Sequence, residues 1–370
     1  MKRLLYITDQ QEYTDHGAIG PLFNGYLKEH MHVNIVYFTK FKHSFQQKGS
    51  DYVVPEQYTK EICCYLEAKG VDLLSYDFVF VRNMYDVLKQ VLASKTQFNY
   101  KVGFRVSVPR TTQSFEEQEL ENKGGFLTDV KRKIGDYTTS KLINQCDLFM
   151  PISDRMEELF YKEIRVKSHP LPPGLDPERV QSYLHTTGDD ITFIYVGTVD
   201  KLQRFEVILE ALQSLKATNW CLHISTFNPD YVRGVIGQFP QIAEKITVLH
   251  AENLNELMEQ IHACDIGIGL LPNLSSHGAA LPAKVMDYYT CSMPTLLTNN
   301  EKNRSLFKDG ENAFFCDYEV ASITAKLEAV MGYSLDEIAR IGEAGQKKLL
   351  GLERNYEIMA KKLYEELEGL

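Results

Sequence analysis

The chain has 370 residues, room for two domains of roughly 100–200 residues with a core in each. Its hydrophobic fraction of 44% and charged fraction of 24% are those of a globular protein, and a net charge of −10 argues against a nucleic-acid binder, which carries a basic face. No run of about 18 apolar residues occurs, so no transmembrane helix is expected. The apolar stretch of the opening segment Met1–Asp9 is too short for a secretory core. The seven cysteines (63, 64, 146, 221, 264, 291 and 316) are odd in number and show no zinc-site spacing. They read as reduced core residues, and the expected location is cytoplasmic.

Short apolar runs alternate with longer helical patterns, which predicts βαβ units and parallel sheets buried on both faces. In the first half the predicted strands are Leu4–Thr8, Val33–Phe38, Phe78–Arg82, Val102–Ser107 and Leu148–Ile152. Helical patterns cover Leu22–Lys28 and Val130–Gln145. The segment from His169 to Pro177 clusters prolines around a glycine, cannot continue a helix or central strand, and is read as the boundary between domains. The rhythm then restarts. Strands are expected at Ile191–Val196, Trp220–Ser225, Ile246–Leu249, Asp265–Leu270 and Pro294–Thr298, with helices at Phe205–Leu215, Leu254–Ala263 and Ala283–Tyr289. From Leu352 to Leu370, Leu352, Tyr356, Met359, Leu363 and Leu367 recur at helical spacing. This stripe either caps the second domain or returns to the first. The fold class is thus α/β, two parallel-sheet domains, with ligands expected at the carboxyl ends of the strands and in the cleft between the domains.

Three stretches carry candidate chemistry. Between the first strand and the next helical pattern, Thr14–Gly20 holds Gly17, and a glycine there lets the backbone approach a phosphate at a helix N-terminus. The spacing is not that of a dinucleotide site, and a plain turn is the competing reading. In Tyr195–Arg204, Gly197 ends a strand and the cations Lys201 and Arg204 follow. They suit a diphosphate, or are simply solvated. In Leu271–Thr295, a loop of small and polar residues containing His277 and Gly278 leads to Pro282 at a helix start. Lys284 and Asp287 then share one helical face. The helix start and Lys284 would hold an anion, and Asp287 would accept hydrogen bonds from two vicinal hydroxyls. The bland alternative is an ordinary surface pair. Arg82 and Asn83 follow one strand, and Arg105 and Ser107 end another, all on the first domain's side of the expected cleft. The run Lys131, Arg132 and Lys133 is either an anionic-membrane contact at the inner face or a solvated helix face.

Taken together, these segments resemble the retaining glycosyltransferases of family four, whose architecture is the two-Rossmann GT-B fold. The resemblance covers nearly the whole chain. It is strongest in Leu281–Thr295, and extends to Tyr195–Leu212, Asp147–Ser153, Leu171–Asp176 and Phe307–Phe315. It implies an N-terminal acceptor-side domain over 1–175, a C-terminal nucleotide-sugar domain over 176–351, and a crossing helix over 352–370. It also implies that Asp287 holds the donor ribose, that Lys201, Arg204 and Lys284 hold the diphosphate of a UDP or GDP sugar, and that Gly17 lets the first-domain loop approach. Cofactor and metal are expected to be absent. The acceptor would be a glycan, a lipid-linked saccharide or another molecule, with surface polysaccharide assembly the usual setting.

Some positions depart from the family's pattern. Ala279 stands where many members carry a carboxylate, Asp287 replaces a glutamate, and Thr198 replaces an arginine. Arg105 or Ser107 lies where a histidine commonly follows a first-domain strand. His277 and Arg105 are therefore the catalytic candidates, with His277 and Gly278 taking over part of the donor-sugar loop. A non-catalytic GT-B scaffold or regulatory subunit is the main alternative. An epimerase of the same architecture and a two-domain solute-binding protein are the others.

Overall fold

The computed structural model describes the chain except for residues 12–18, 121–125 and 185–189. It divides into two compact units, Met1–Pro172 with Tyr356–Leu370, and Pro173–Asn355.

The first unit is built on a seven-stranded sheet of β1 (Arg3–Gln11), β2 (His32–Thr39), β3 (Gln46–Lys48), β4 (Asp51–Pro55), β5 (Phe78–Arg82), β6 (Lys101–Val106) and β7 (Leu148–Pro151), in the order β3-β4-β2-β1-β5-β6-β7. Every pairing is parallel except the β3–β4 hairpin at the edge. All five residues of β5 are buried, as a parallel strand covered on both faces requires. From β1 the chain winds outward through β2 to the β3–β4 hairpin, then returns to the other side of β1 with β5, so the order reverses between β1 and β5. The helix Tyr356–Glu368 belongs to this unit, where Tyr356, Met359, Leu363 and Leu367 join Tyr6, Phe23 and Leu27 in one core.

The second unit carries a six-stranded sheet of β8 (Ile191–Val196), β9 (Trp220–Ser225), β10 (Ile246–Leu249), β11 (Ile266–Gly269), β12 (Thr295–Thr298) and β13 (Phe314–Cys316), all parallel, in the order β10-β9-β8-β11-β12-β13. Here the order reverses between β8 and β11. Alternate residues of β8 feed two cores. Phe193 and Tyr195 pack with Phe205 and Leu209, while Ile194 and Val196 pack with Met258 and Tyr288.

Several elements differ from the sequence reading. Leu22–Lys28 is not an α-helix. A π-helical segment, Ile19–Gly25, runs into a 3-10 turn, Tyr26–Glu29. Pro21 lacks an amide proton, and Gly25 adopts a non-helical conformation at the junction. The terminal helix begins at Tyr356, because Glu353 takes a left-handed φ of 58° and Leu352 lies exposed before it. Periodicity counted Leu352 into a stripe to which it does not belong. The β3–β4 hairpin was not foreseen. Its polar outer strand carries no apolar alternation, and buried Asp51 ties β4 to β2 by accepting the Ile35 amide at 2.9 Å. All seven cysteines are free thiols and five are buried, but Cys64 is exposed and is not a core residue. Among the described residues, no helix is long and apolar enough to cross a membrane.

Candidate functional site at the carboxyl edge of the second sheet

The reversal between β8 and β11 parts the loops that follow them, which is where open α/β sheets bind ligands. Both loops bring residues singled out in the sequence. Gly197 directly follows β8, and its amide donates to the Ser225 carbonyl at 2.9 Å. Its φ is +116°, a conformation open to glycine and rarely to other residues. A side chain at this position would meet Lys284 only in ordinary contact, at 3.7 Å. The backbone turn, not space, therefore demands the glycine.

Lys284 and Asp287 stand on the helix Ala283–Thr290, which Tyr288 anchors beneath the sheet. The Tyr288 hydroxyl accepts from the Val196 amide at 2.9 Å and reaches the carbonyls of Ile194 and Ile268. One phenol thus spans β8 and β11, and Gly267 makes room for its ring: a Cβ there would lie 2.4 Å from Tyr288 Cδ2. With Tyr288 fixed, the helix presents Lys284 beside Gly197. The Lys284 ammonium sits 3.4 Å from the centre of the Tyr195 ring, a cation–π contact.

The charges here are not at rest. Lys284 and Asp287 are half-buried. Burial pulls the Lys284 ammonium down to about 7, against the attraction of Asp200 and Asp287. Burial pushes the Asp287 carboxyl up to about 7, opposed by Lys284. Protein has replaced more of the water around each group than its neighbours compensate. An incoming anion with hydroxyls would favour the charged form of both.

Lys201 and Arg204 lie on the turn between β8 and the helix Glu206–Gln213, and both are exposed. Arg204 holds a left-handed φ of 47°, and its carbonyl accepts from the Tyr318 hydroxyl at 3.0 Å, which fixes the strained residue in place. His277 lies in the turn after β11, its Nδ1 3.1 Å from the Pro272 carbonyl, and the Gly278 amide bonds the Leu274 carbonyl at 3.0 Å. Ala279 is fully buried. Gly17 lies outside the described residues. Arg105 belongs to the first unit and joins a different group, described below.

The structure therefore gathers Gly197, Lys284 and Asp287 at one sheet edge, with Lys201 and Arg204 on the adjoining turn. Sequence reasoning missed Asp200, which favours the charge on Lys284 and accepts the Leu202 amide at 2.8 Å, and Tyr195, read only as a strand residue. The Asp200 turn had a legible signal, an aspartate two residues before the amide it caps. Tyr195 had none, because a buried aromatic on a strand reads as core. At the ends of β9 and β10, Phe227 is exposed and meets the ring of His250 edge-on at 5.6 Å. Among the described residues, no cluster of three or more His, Cys, Asp or Glu side chains is arranged to hold a metal.

Residues 181–348 match the family model "Glycosyl transferases group 1". Among solved structures, the chain is similar to sucrose-phosphate synthase from Thermosynechococcus elongatus, at 11% identity and a TM-score of 0.75, with 100% of each chain covered. It is also similar to HepE from Anabaena, solved in complex with UDP and glucose, at 12% identity and a TM-score of 0.71, again with 100% of each covered. A third is the UDP-forming alpha,alpha-trehalose-phosphate synthase from Burkholderia xenovorans, in complex with glucose-6-phosphate, at 11% identity and a TM-score of 0.69, covering 99% of this chain and 100% of the other. No curated protein matches significantly. At such identities the likeness is one of fold, two parallel-sheet domains of the GT-B class. On this GT-B fold, residues 181–348 are a domain of the glycosyl transferases group 1 family.

Proposed function

We propose that the chain transfers a sugar from a nucleoside-diphosphate sugar to a glycan, lipid-linked or other hydroxyl-bearing acceptor, with retention at the anomeric carbon. The observation that carries this reading is the group at the second switch point: Gly197 in a glycine-only turn, Lys284 against it, and Asp287 one helical turn on. The diphosphate lies over the turn at Gly197 and the start of the helix Ala283–Thr290, where the helix dipole favours negative charge. Lys284 meets its oxygens, with Arg204 and Lys201 at the rim. Asp287 accepts from the ribose hydroxyls. That two of the similar structures carry UDP or a UDP-forming activity in their names favours a uridine donor.

In the reaction, the bond from the anomeric carbon to the β-phosphate oxygen breaks and its electron pair leaves with the diphosphate. The acceptor oxygen forms the new bond on the same face, and its proton passes to the departing phosphate oxygen. Lysine, arginine and helix amides stabilise the charge that grows on the leaving group, the role a divalent metal plays in other transferases. His277 is the candidate to meet the sugar.

The test is a thermal-shift and hydrolysis screen of UDP, GDP, CMP and ADP sugars on the wild type beside R204A and D287A. The expected outcome is stabilisation by one nucleotide, weakened in both variants, with slow hydrolysis of its sugar. If no nucleotide shifts the wild type, the reading fails and a non-catalytic scaffold replaces it.

A further inference from the structure

The first sheet also reverses its order, between β1 and β5, and an unusual group of buried charges stands there. Arg82 ends β5 and Arg105 lies near the end of β6. The two are register partners on adjacent parallel strands, so their side chains leave the sheet on the same side. Like charges in register repel, and strand pairs disfavour them. Both are buried, Arg82 at 6% and Arg105 at 2% exposure.

Among the described residues, one carboxylate is in contact with them. Asp9 of β1 pairs with Arg82 and accepts from the Asn83 amide group at 3.2 Å. Asn83 holds a left-handed φ of 55° and exchanges two hydrogen bonds with Ser107, at 2.8 and 2.9 Å. Arg105 donates to the Tyr6 hydroxyl at 3.2 Å and lies over the Phe23 ring, which stacks on Tyr6 at 3.9 Å. Neither of these partners of Arg105 among the described residues is charged. The Nε–H groups of both arginines are buried with no hydrogen-bond partner among the described residues. Burial pushes the Arg82 guanidinium below its ordinary value; Tyr6 and Asp9 work against this and Arg105 adds to it. Among the described residues, two guanidiniums against one carboxylate, with two orphaned donors, is a costly arrangement for a scaffold, because a buried uncompensated charge is destabilising. It suits a site kept ready for an anion, as functional sites commonly hold strain that the rest of the fold supports.

We infer that Arg105, Arg82, Asn83 and Ser107 form a subsite for an oxyanion, a phosphoryl or carboxylate group carried by the acceptor. The guanidinium fork matches either group. Only the word acceptor rests on the proposed transferase activity; the anion site stands on the geometry alone.

The experiment uses the full chain carrying K284Q, so that anions no longer bind through Lys284. Melting is followed with inorganic phosphate, glucose 6-phosphate, glucuronate, dodecyl phosphate in micelles, and uncharged glucose. Phosphate and at least one of the three acceptor-like anions are expected to raise the Tm with millimolar midpoints, and glucose to leave it unchanged. The best of the three tells a sugar phosphate, a uronic acid and a lipid phosphate apart. Adding R105Q is expected to raise that midpoint at least tenfold while the ligand-free protein melts no lower, since one of two repelling charges is gone. R105K, which keeps the charge and loses the fork, is expected to fall between. The inference is overturned if no anion shifts the K284Q protein, if the shift survives R105Q, or if R105Q and R105K both melt far below their parent, which would make the group structural. Nucleotide binding is measured separately on the chain without K284Q. Its absence would sink the transferase reading and leave the anion result standing.

Discussion

The two sheets share a strand plan and treat charge oppositely at the point where the order reverses. In the second unit the cation is a lysine that burial has brought close to neutrality, beside an aspartate brought close to protonation, both with a partial opening to solvent. In the first unit the cations are two arginines, which cannot shed their charge at physiological pH, locked beneath the surface with a single acid in contact among the described residues. The lysine site can relax when empty by moving a proton. The arginine site cannot, and must be supported by the surrounding core of Tyr6 and Phe23. One reversal point is thus adjustable and the other is rigid and pre-charged.

The sharpest way to break this comparison is K284Q. If Lys284 neutralises the leaving diphosphate, transfer falls by about 10²–10³-fold in kcat, the cost of losing one preorganised donor to developing charge, read from initial rates with the donor saturating. A change in KM alone would make Lys284 a mere binding contact. Next in size, D287A weakens nucleoside-diphosphate binding by roughly 10–100-fold, the cost of hydrogen bonds to a charged group, measured by isothermal titration. Unchanged affinity would remove the ribose from Asp287.

Gly267→Ala tests the support beneath the site. The new methyl would lie 2.4 Å from the Tyr288 ring. Overpacking of this kind costs about 1–3 kcal/mol, and calorimetry should show a Tm several degrees lower, with Lys284 and Asp287 displaced along with their helix. An unchanged Tm would mean that Tyr288 is free to shift and does not anchor it.

The smallest effect is in pH. The folded Lys284 loses its proton through about 7, well below its unfolded value, so the cost of burying its charge is felt in full below about 7 and is relieved only gradually as pH rises from there toward the ordinary lysine range. For binding the sign reverses. Above about 7 an anion must recruit a proton to Lys284, and affinity for the diphosphate falls by at most about tenfold per pH unit. Titrations at pH 7.5 to 9 in buffers of different ionisation enthalpy should report proton uptake, and K284Q should abolish it. The arginine site should show no such slope for inorganic phosphate over this range.

Much of this molecule was legible in one dimension. Buried parallel strands are apolar without interruption, so Phe78–Arg82, Ile191–Val196, Trp220–Ser225 and Ile246–Leu249 appear in the structure with the bounds read from the sequence. Gly197, Lys284 and Asp287 were legible because strand ends and helix starts are local events, marked by a glycine and a proline. The edge hairpin and the π-helical segment were not, since the outer strand is polar and the π-helical segment packs Phe23 into a core drawn from distant parts of the chain, neither of which leaves a period in the sequence.

The sequence by itself determined the βα rhythm, the place of the second-sheet loops and the identity of the residues on them, because each depends on neighbours within a turn or two. Only the tertiary structure decided that Tyr288 clamps two strands, that Tyr195 and Asp200 attend Lys284, and that Arg82 and Arg105 stand side by side with Asp9 paired to Arg82. Those facts follow from strand register and burial, which join residues far apart in the chain and set how much water each charge keeps.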